Sequence, residues 1–236
     1  MKKYLKYLIF FFLLFALSPK LEAQRFLGAV VGGMNISQVD GDEVYGFKKV
    51  GGHFGLAAIL PIQKKWDITL ETVFNQKGAN EKSQYTYWHY DTISGILDST
   101  LYTGAYNLRL NYVEVPLMVH YTDRQKYTVG AGFSYGRLVS SKEIEHDGNI
   151  PPYSDTVNFN KNDFDVLLDL QIRVYKGLKF NVRYSYSMVA IRERTFHDII
   201  YEQKAPWIRK QYNNMLTFRL VYVINEKPSA KADDNQ

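Results

Sequence analysis

The side chains able to do acid–base or nucleophilic chemistry are few and scattered. Five histidines stand at His53, His89, His120, His146 and His197. Nucleophilic catalysis needs a hydroxyl or thiol beside a base that a third group orients. No His-x-Ser arrangement offers this, and His120-Tyr121-Thr122 comes nearest. There is no HExxH, no phosphate-binding loop and no Gly-x-Ser-x-Gly. There is no cysteine, which excludes disulfides, thiolate metal sites and a lipid anchor on cysteine. The acidic group Asp40, Asp42 and Glu43 lacks the spacing of a calcium-binding loop and reads as solvated loop charge. The expectation is no catalytic residue, no cofactor and no metal site.

A second set of charged residues is better ordered. Glu71, Glu114, Asp165, Asp169, Arg173, Arg183 and Arg219 alternate with apolar neighbours, so all can share one face. Enclosed charges of both signs can pair into a scaffold that fills the space, or line a pore or proton path. The choice depends on the elements that hold them.

Those elements read as strands. From 164 to 174 the even positions are Phe164, Val166, Leu168, Leu170, Ile172 and Val174, and between them sit Asp165, Leu167, Asp169, Gln171 and Arg173. The next stretch sets Leu178, Phe180, Val182, Tyr184 and Tyr186 against Lys179, Asn181, Arg183, Ser185 and Ser187. Period two with one apolar face is the strand signature. Eight such stretches are expected at 25–37, 50–62, 66–80, 104–122, 126–140, 162–175, 178–191 and 211–224. No helical period of useful length interrupts them. Tight turns at 63–65, 123–125 and 175–177 alternate with long polar segments at 38–49, 81–103, 141–161 and 192–210. Short turns on one side and long loops on the other mark an up-and-down barrel across an outer membrane.

Alternation alone does not say which face points inward. A soluble barrel hides its apolar face, whereas a membrane barrel shows that face to lipid. Three features favour lipid. The polar face carries charge on some strands and glycine on others, as in Gly130, Gly132 and Gly136. Trp66, Tyr121, Tyr127, Tyr175, Phe180 and Tyr222 lie near the tight turns or the strand ends beside them, where an interfacial aromatic girdle belongs. The strands are also longer than the usual soluble strand of about 5–6 residues. The fold class expected is all-β, an eight-stranded antiparallel up-and-down transmembrane β-barrel.

Turn chemistry suggests registers. A three-residue turn with Gly177 left-handed sets Val174 opposite Leu178 and Asp169 opposite Arg183. Ile62 opposite Trp66 sets Ala57 opposite Glu71. Thr122 opposite Lys126 sets Glu114 opposite Ser134. Pro116 has no amide hydrogen for a ladder, so a bulge or an early end to pairing is expected there. The segment 81–103 carries Tyr85, Tyr87, Trp88, Tyr90 and Tyr102, either as recognition anchors or as a hairpin rising above the membrane.

The start of the chain reads as a secretory signal. Lys2, Lys3 and Lys6 precede an apolar run from Tyr7 to Leu17, Pro19 breaks it, and Leu21-Glu22-Ala23 offers a cleavage site. Domain boundaries follow: 1–23 signal, 24–224 barrel, 225–236 a polar periplasmic tail. Four Lys and one Glu in 1–23 supply +3 of the formal +5, leaving +2 for the rest. The basicity is a targeting feature and gives no reason to expect nucleic acid.

Several motifs carry a family likeness. Gly32-Gly33-Met34-Asn35-Ile36-Ser37, Lys49-Val50-Gly51-Gly52-His53-Phe54-Gly55-Leu56, Leu70 to Ala79, and Asn111-Tyr112-Val113-Glu114-Val115-Pro116-Leu117 resemble the PorT family of outer-membrane β-barrel proteins in the Bacteroidota. The resemblance extends over nearly the whole chain after residue 23. It implies a small barrel in the outer membrane of a Gram-negative bacterium. For the founding member it implies a part in type IX secretion, with outer-membrane lipids and other outer-membrane or periplasmic secretion proteins as partners. The polar tail departs from the usual barrel habit of ending on an aromatic strand residue and points to a periplasmic partner. The expected role is a non-enzymatic outer-membrane component accessory to that secretion. The alternatives are a small pore or ligand-binding barrel, and a lipid-modifying enzyme, which the missing catalytic arrangement disfavours.

Overall fold

The computed structural model of the chain describes residues 26–42, 44–86, 89–90, 97–98, 102–144, 159–196 and 207–224. Residues 1–25 and 225–236, where the signal and the tail were expected, lie outside them. Eight long strands follow in order: β1 (Leu27–Asp40), β2 (Lys49–Pro61), β3 (Trp66–Thr86), β4 (Tyr102–Asp123), β5 (Tyr127–Ile144), β6 (Asn162–Tyr175), β7 (Leu178–Ser187) and β8 (Trp207–Val223). Each pairs antiparallel with its sequence neighbour, and β1 pairs with β8 to close the ring. A ninth, short strand, Arg192–Phe196, pairs with the start of β8 above the point where β7 ends. Closure removes every long edge within the membrane, where no water could satisfy an unpaired backbone.

The strands alternate in burial with period two. Leu168, Leu170 and Phe133 are 55–63% exposed, while Asp169 and Arg183 are each 2% exposed. The apolar face therefore looks outward and the polar face inward. From Phe164 to Val174 the strand rises about 33 Å, or about 24 Å along the membrane normal at a tilt of ~45°, close to the ~25 Å apolar band of outer-membrane barrels. At the tight-turn end, Trp66 packs on Tyr121 with ring centroids 5.1 Å apart. Lys65, Lys126 and Lys176 each set an ammonium over a tyrosine ring, of Tyr121, Tyr127 and Tyr175, at 5.6, 5.4 and 5.1 Å. Aromatic rings with lysine ammonium groups over them thus gather at the tight-turn end, the composition expected of a girdle at a lipid interface.

The polarity pattern inverts along β4. Rising from the turn end, the inward residues are His120, Met118, Pro116 and Glu114, then Tyr112, Leu110, Leu108 and Tyr106. The outward ones are Val119, Leu117, Val115 and Val113, then Asn111 and Arg109. Below the switch, lipid outside demands apolar side chains. Above it, water outside lets the interior become apolar. Val39, Val44, Ala79, Tyr106, Leu108, Leu110, Tyr112 and Ile191 form that upper core, with Leu138 and Phe159 packed on it. Strands continue into segments 81–103 and 141–161, expected as loops, because a hairpin wet on its outer face needs no apolar alternation there.

Two of the expected strand registers hold and one is corrected, and the third turn itself differs from the expectation. Ala57 faces Glu71 and Asp169 faces Arg183. At the second turn Asp123 faces Tyr127, with Arg124 and Gln125 left-handed at φ 46° and 52°. Glu114 therefore faces Gly136, not Ser134. A slip of two keeps every side chain on its face. At the third turn Lys176 is left-handed at φ 41°, rather than Gly177, and Tyr175 pairs with Leu178. An irregularity between Arg173 and Tyr175 then restores the expected register. Gly177 instead allows close approach, since a Cβ there would lie 2.5 Å from the Val223 carbonyl oxygen. At Pro116 there is no bulge: the β3–β4 ladder lapses between Leu70↔Leu117 and Val73↔Glu114, and the register resumes unshifted.

Candidate functional site

The inward face of the membrane zone builds a two-tier ion network. In the lower tier, Arg183 from β7 and Arg219 from β8 both clamp Glu71 from β3. Arg183 Nη1 and Nη2 donate to Glu71 at 3.0 Å each, and Arg219 Nη1 and Nη2 donate at 2.7 and 3.0 Å. Arg183 also donates to Asp169 of β6 through Nε and Nη2, at 2.6 and 2.8 Å. Two guanidinium groups thus meet two carboxylates, and the tier is neutral. Arg219 Nε donates to Asn181 Oδ1 at 2.6 Å, and its Nη1 lies 3.2 Å from His53 Nε2. Planar forks gripping carboxylates with two bonds each are the stronger form of ion pair.

The upper tier centres on Lys77 of β3. Its ammonium lies 2.8 Å from Glu114, 3.1 Å from Asp163 and 2.5 Å from Asp165. It also stands over the Tyr112 ring, 5.0 Å from the centroid. Asn213 donates to Asp163 at 2.8 Å, and Ser187 donates to Asp165 at 3.2 Å. Glycines make room for these long side chains. A Cβ on Gly136 would lie 3.3 Å from Glu114 Cγ, and one on Gly130 would lie 2.2 Å from the His120 ring.

Six of the seven expected lumen charges meet in these tiers: Glu71, Glu114, Asp165, Asp169, Arg183 and Arg219. Arg173 stands apart. It lies at the tight-turn end, where it donates to the carbonyls of Gln125 and Lys176 at 2.8 and 2.7 Å and ties two turns together. Sequence reading omitted Lys77 and Asp163. Both were legible by parity, since Lys77 shares the odd positions of Glu71 and Asn75, and Asp163 those of Asp165 and Asp169.

His120 sits at the base of the lower tier. Its Nδ1 lies 3.2 Å from Thr69 Oγ1 and from Asp67 Oδ1, and its Nε2 lies 3.2 Å from Asp169 Oδ2. A hydroxyl, an imidazole and a carboxylate thus stand in line. The adjoining cavity, lined by Thr69, Glu71, His120 and Gln171 among others, is only about 20 Å³, room for one ordered water. Thr69 is buried and faces the lumen, so no lipid chain reaches it. His53 is a lumen residue beside Arg219, and His146 and His197 lie outside the described residues.

Apolar residues pack towards both ends. Below lie Ala29, Val31, Ala57, Ile59, Val221 and Val223. Above, the mouth is plugged from two sides. Gly41, left-handed at φ 90°, turns the chain after β1 so that Asp42 and Val44 are buried. Past β7, Ile191 drops into the mouth while its amide donates to the Gln211 carbonyl at 2.8 Å. Arg192 beside it clamps Glu143 with two bonds of 2.7 and 2.8 Å, and the Tyr106 hydroxyl donates to Glu143 at 2.9 Å. Burial pushes the Glu143 carboxyl up, but the bonds and charge of Arg192 outweigh it and hold the group below the usual carboxylate range. Asp42 has weaker help, chiefly the Val44 amide at 2.9 Å, and burial pushes its carboxyl up to about 7.

Of the girdle residues, Trp66, Tyr127, Tyr175, Phe180 and Tyr222 are exposed to the lipid side, and Tyr121 is half-buried against Trp66. Tyr87 and Trp88 lie outside the described residues. Tyr85 and Tyr102 are on the paired backbone of the raised β3–β4 hairpin, and Tyr90 on the short pair His89–Tyr90 with Leu97–Asp98.

Several solved structures are similar to this chain. Ail, the attachment invasion locus protein of Yersinia pestis, is similar in structure at 11% identity and TM-score 0.41, over 85% of this chain and 99% of that one. OprG from Pseudomonas aeruginosa is similar at 10% identity and TM-score 0.43, over 84% and 95%. Neisserial surface protein A is similar at 11% identity and TM-score 0.42, over 83% and 96%. No curated protein matches the sequence. The family model described as outer membrane protein beta-barrel domain matches residues 22–191, most of the chain. This chain therefore belongs to the outer membrane protein β-barrel family and resides in the outer membrane of a Gram-negative bacterium.

Proposed function

We propose that the chain is a non-conducting, non-enzymatic barrel whose work is done on its surfaces, as an accessory of type IX protein secretion. One observation carries the reading: the lumen is filled from end to end. An apolar floor, a neutral tier of guanidinium–carboxylate pairs, a tier of three carboxylates around Lys77 and an apolar cap succeed one another, and the cavity beside His120 has room for one water. A pore would need a continuous wet path, and the buried guanidinium–carboxylate clamps cross the lumen where it would run. The buried Thr69–His120–Asp169 line offers no access to lipid, which supports a non-enzymatic role. The motifs at 32–37, 49–56, 70–79 and 111–117, with their likeness to the PorT family, support a place in type IX export. In this reading residues 1–23 are the export signal, and residues 225–236 reach a periplasmic partner.

Planar-bilayer recording of the purified full chain tests the closed lumen. The expected result is a current no different from bare lipid, and discrete conductance steps overturn it. The secretion role has its own test. Purification from outer membranes in mild detergent is expected to bring secretion proteins along, and deletion is expected to impair export. Unchanged export together with no secretion partner in the purified material rejects that role.

A further inference from the structure

The outward face carries a charge pattern that the lumen does not explain. On β4 the lipid-facing band ends at Val113, and the next outward residues are Asn111 and Arg109. On β5 it ends at Tyr135, followed by Arg137 and, past an irregularity opposite Asn111 and Tyr112, by Ser140 and Lys142. Asn111 Nδ2 donates to Ser140 Oγ at 2.7 Å, which fixes this row on the outer surface. The register then sets Arg109 directly opposite Lys142, both exposed.

Like charges directly opposite on neighbouring strands destabilise a sheet. Among the described residues nothing relieves the repulsion. Arg109, Lys142 and Arg137 make no ion pair among the described residues. Arg137 donates only to Asn162 Oδ1, at 2.6 Å, and the Tyr135 hydroxyl donates to the same oxygen at 3.0 Å. Glu114 of β4 and Glu143 of β5 turn inward, to Lys77 and Arg192, as does Asp163 on neighbouring β6. Cations outside and acids inside is a sorted arrangement. The Arg109–Lys142 pole and the Arg137 pole lie roughly 15 Å apart at ~3.3 Å per residue. Arg137 is paired with Val113 at the top of the exposed apolar band that includes Phe133 and Tyr135, and the Arg109–Lys142 pole stands four residues further up β4.

We propose that this face binds a phosphorylated glycolipid of the outer leaflet, its phosphates on Arg109, Lys142 and Arg137 and its acyl chains on the apolar band below. A soluble anion would use only the cations, and an uncharged lipid only the band. An amphiphile with anionic groups at its head matches both in one ligand.

Native mass spectrometry of the detergent-purified full chain tests this, with bis-phosphorylated lipid A and its dephosphorylated counterpart as probes. The wild type is expected to retain the phosphorylated form about ten-fold better, corresponding to ~1.4 kcal/mol. Equal retention of the two forms overturns the proposal without any variant. The triple substitution R109Q/R137Q/K142Q is expected to abolish the difference, while R109K/R137K/K142R keeps most of it. A control triple at the tight-turn rim, K64Q/K126Q/K176Q, removes the same charge and is expected to leave the preference intact. If the control lowers it as much as R109Q/R137Q/K142Q does, the site is not on this face.

Discussion

Glu71→Gln tests whether the lower tier holds the barrel as a balanced unit. Glu71 accepts four charge-assisted hydrogen bonds, two from Arg183 and two from Arg219, at 2.7–3.0 Å. Gln keeps the volume and removes the charge, so two buried guanidinium groups are left with Asp169 alone. Removing one partner of a buried ion pair costs about 3–5 kcal/mol, a large part of a typical domain stability of ~5–15 kcal/mol. Arg219→Gln is the mirror case, leaving Glu71 and Asp169 to share Arg183. The double variant E71Q/R219Q restores neutrality, because Arg183 keeps Asp169 through bonds of 2.6 and 2.8 Å. Its loss is therefore expected to fall short of the two single losses combined by roughly 2–3 kcal/mol. The assay is urea unfolding of the barrel in phosphatidylcholine vesicles, followed by tryptophan emission and by gel mobility of the folded form. Single variants within about 1 kcal/mol of wild type, or strict additivity in the double, would refute the reasoning.

Three further outcomes follow from other parts of the barrel. Leu170→Arg places a charge on the lipid face near the middle of the apolar band and is expected to cost about 2–4 kcal/mol in the same unfolding assay. Gly33→Ala is expected to destabilise by about 1–3 kcal/mol, since its Cβ would lie 2.2 Å from the Phe218 carbonyl oxygen. Gly32→Ala, with open space at the same distance, is expected to stay within about 0.5 kcal/mol. Asp42 gives a pH dependence of definite sign. Burial raises its carboxyl to about 7, while an exposed aspartate titrates near ~3.9, so between these values the folded form binds more protons. The mouth is therefore expected to lose stability as pH rises from about 4 to 7 and to stay weaker above. Asp42→Asn removes that loss. Limited proteolysis is expected to show the segment 41–48 better protected in the variant than in wild type at pH 8, and alike in the two at pH 4. Protection that differs equally at both pH values counts against the buried carboxylate as the cause.

Much of this architecture was legible because period two is a strong constraint. Once Leu170 and Phe180 are assigned to lipid, Asp169 and Arg183 must face the lumen, and the third turn brings them opposite each other. The slip at the second turn shows what sequence pattern leaves open. Asp123-Arg124-Gln125 and Arg124-Gln125-Lys126 are both plausible three-residue turns, and they differ by two in register. Both keep Glu114 inside, so hydrophobic pattern does not choose between them. The chosen turn puts two non-glycine residues, Arg124 and Gln125, in the left-handed region, which no local residue preference announces. The mouth plug was illegible for another reason. Val44 lies in a segment that reads as a polar loop and Ile191 at the end of the expected strand 178–191, which in the structure stops at Ser187, and only the closed ring shows that both fall over the same opening.

The inversion along β4 explains why the seven expected lumen charges were an incomplete set. An inward charge was taken as the mark of the lumen, yet the inward face changes chemistry at Glu114 and Tyr112, where the outward face changes from Val113 to Asn111. Solvent on the far side of the wall sets which chemistry belongs inside. Facing lipid, the wall must be greasy outside, and the polar residues needed to interrupt the apolar face turn inward, where they require partners. Facing water, the wall has no such need, and its interior packs like a soluble core. Lys77 lies just below that boundary, the single cation among three carboxylates, with the Tyr112 ring roofing it. Its position lets the apolar cap rest on a paired charge rather than on bare carboxylates, and so joins two kinds of core within one barrel.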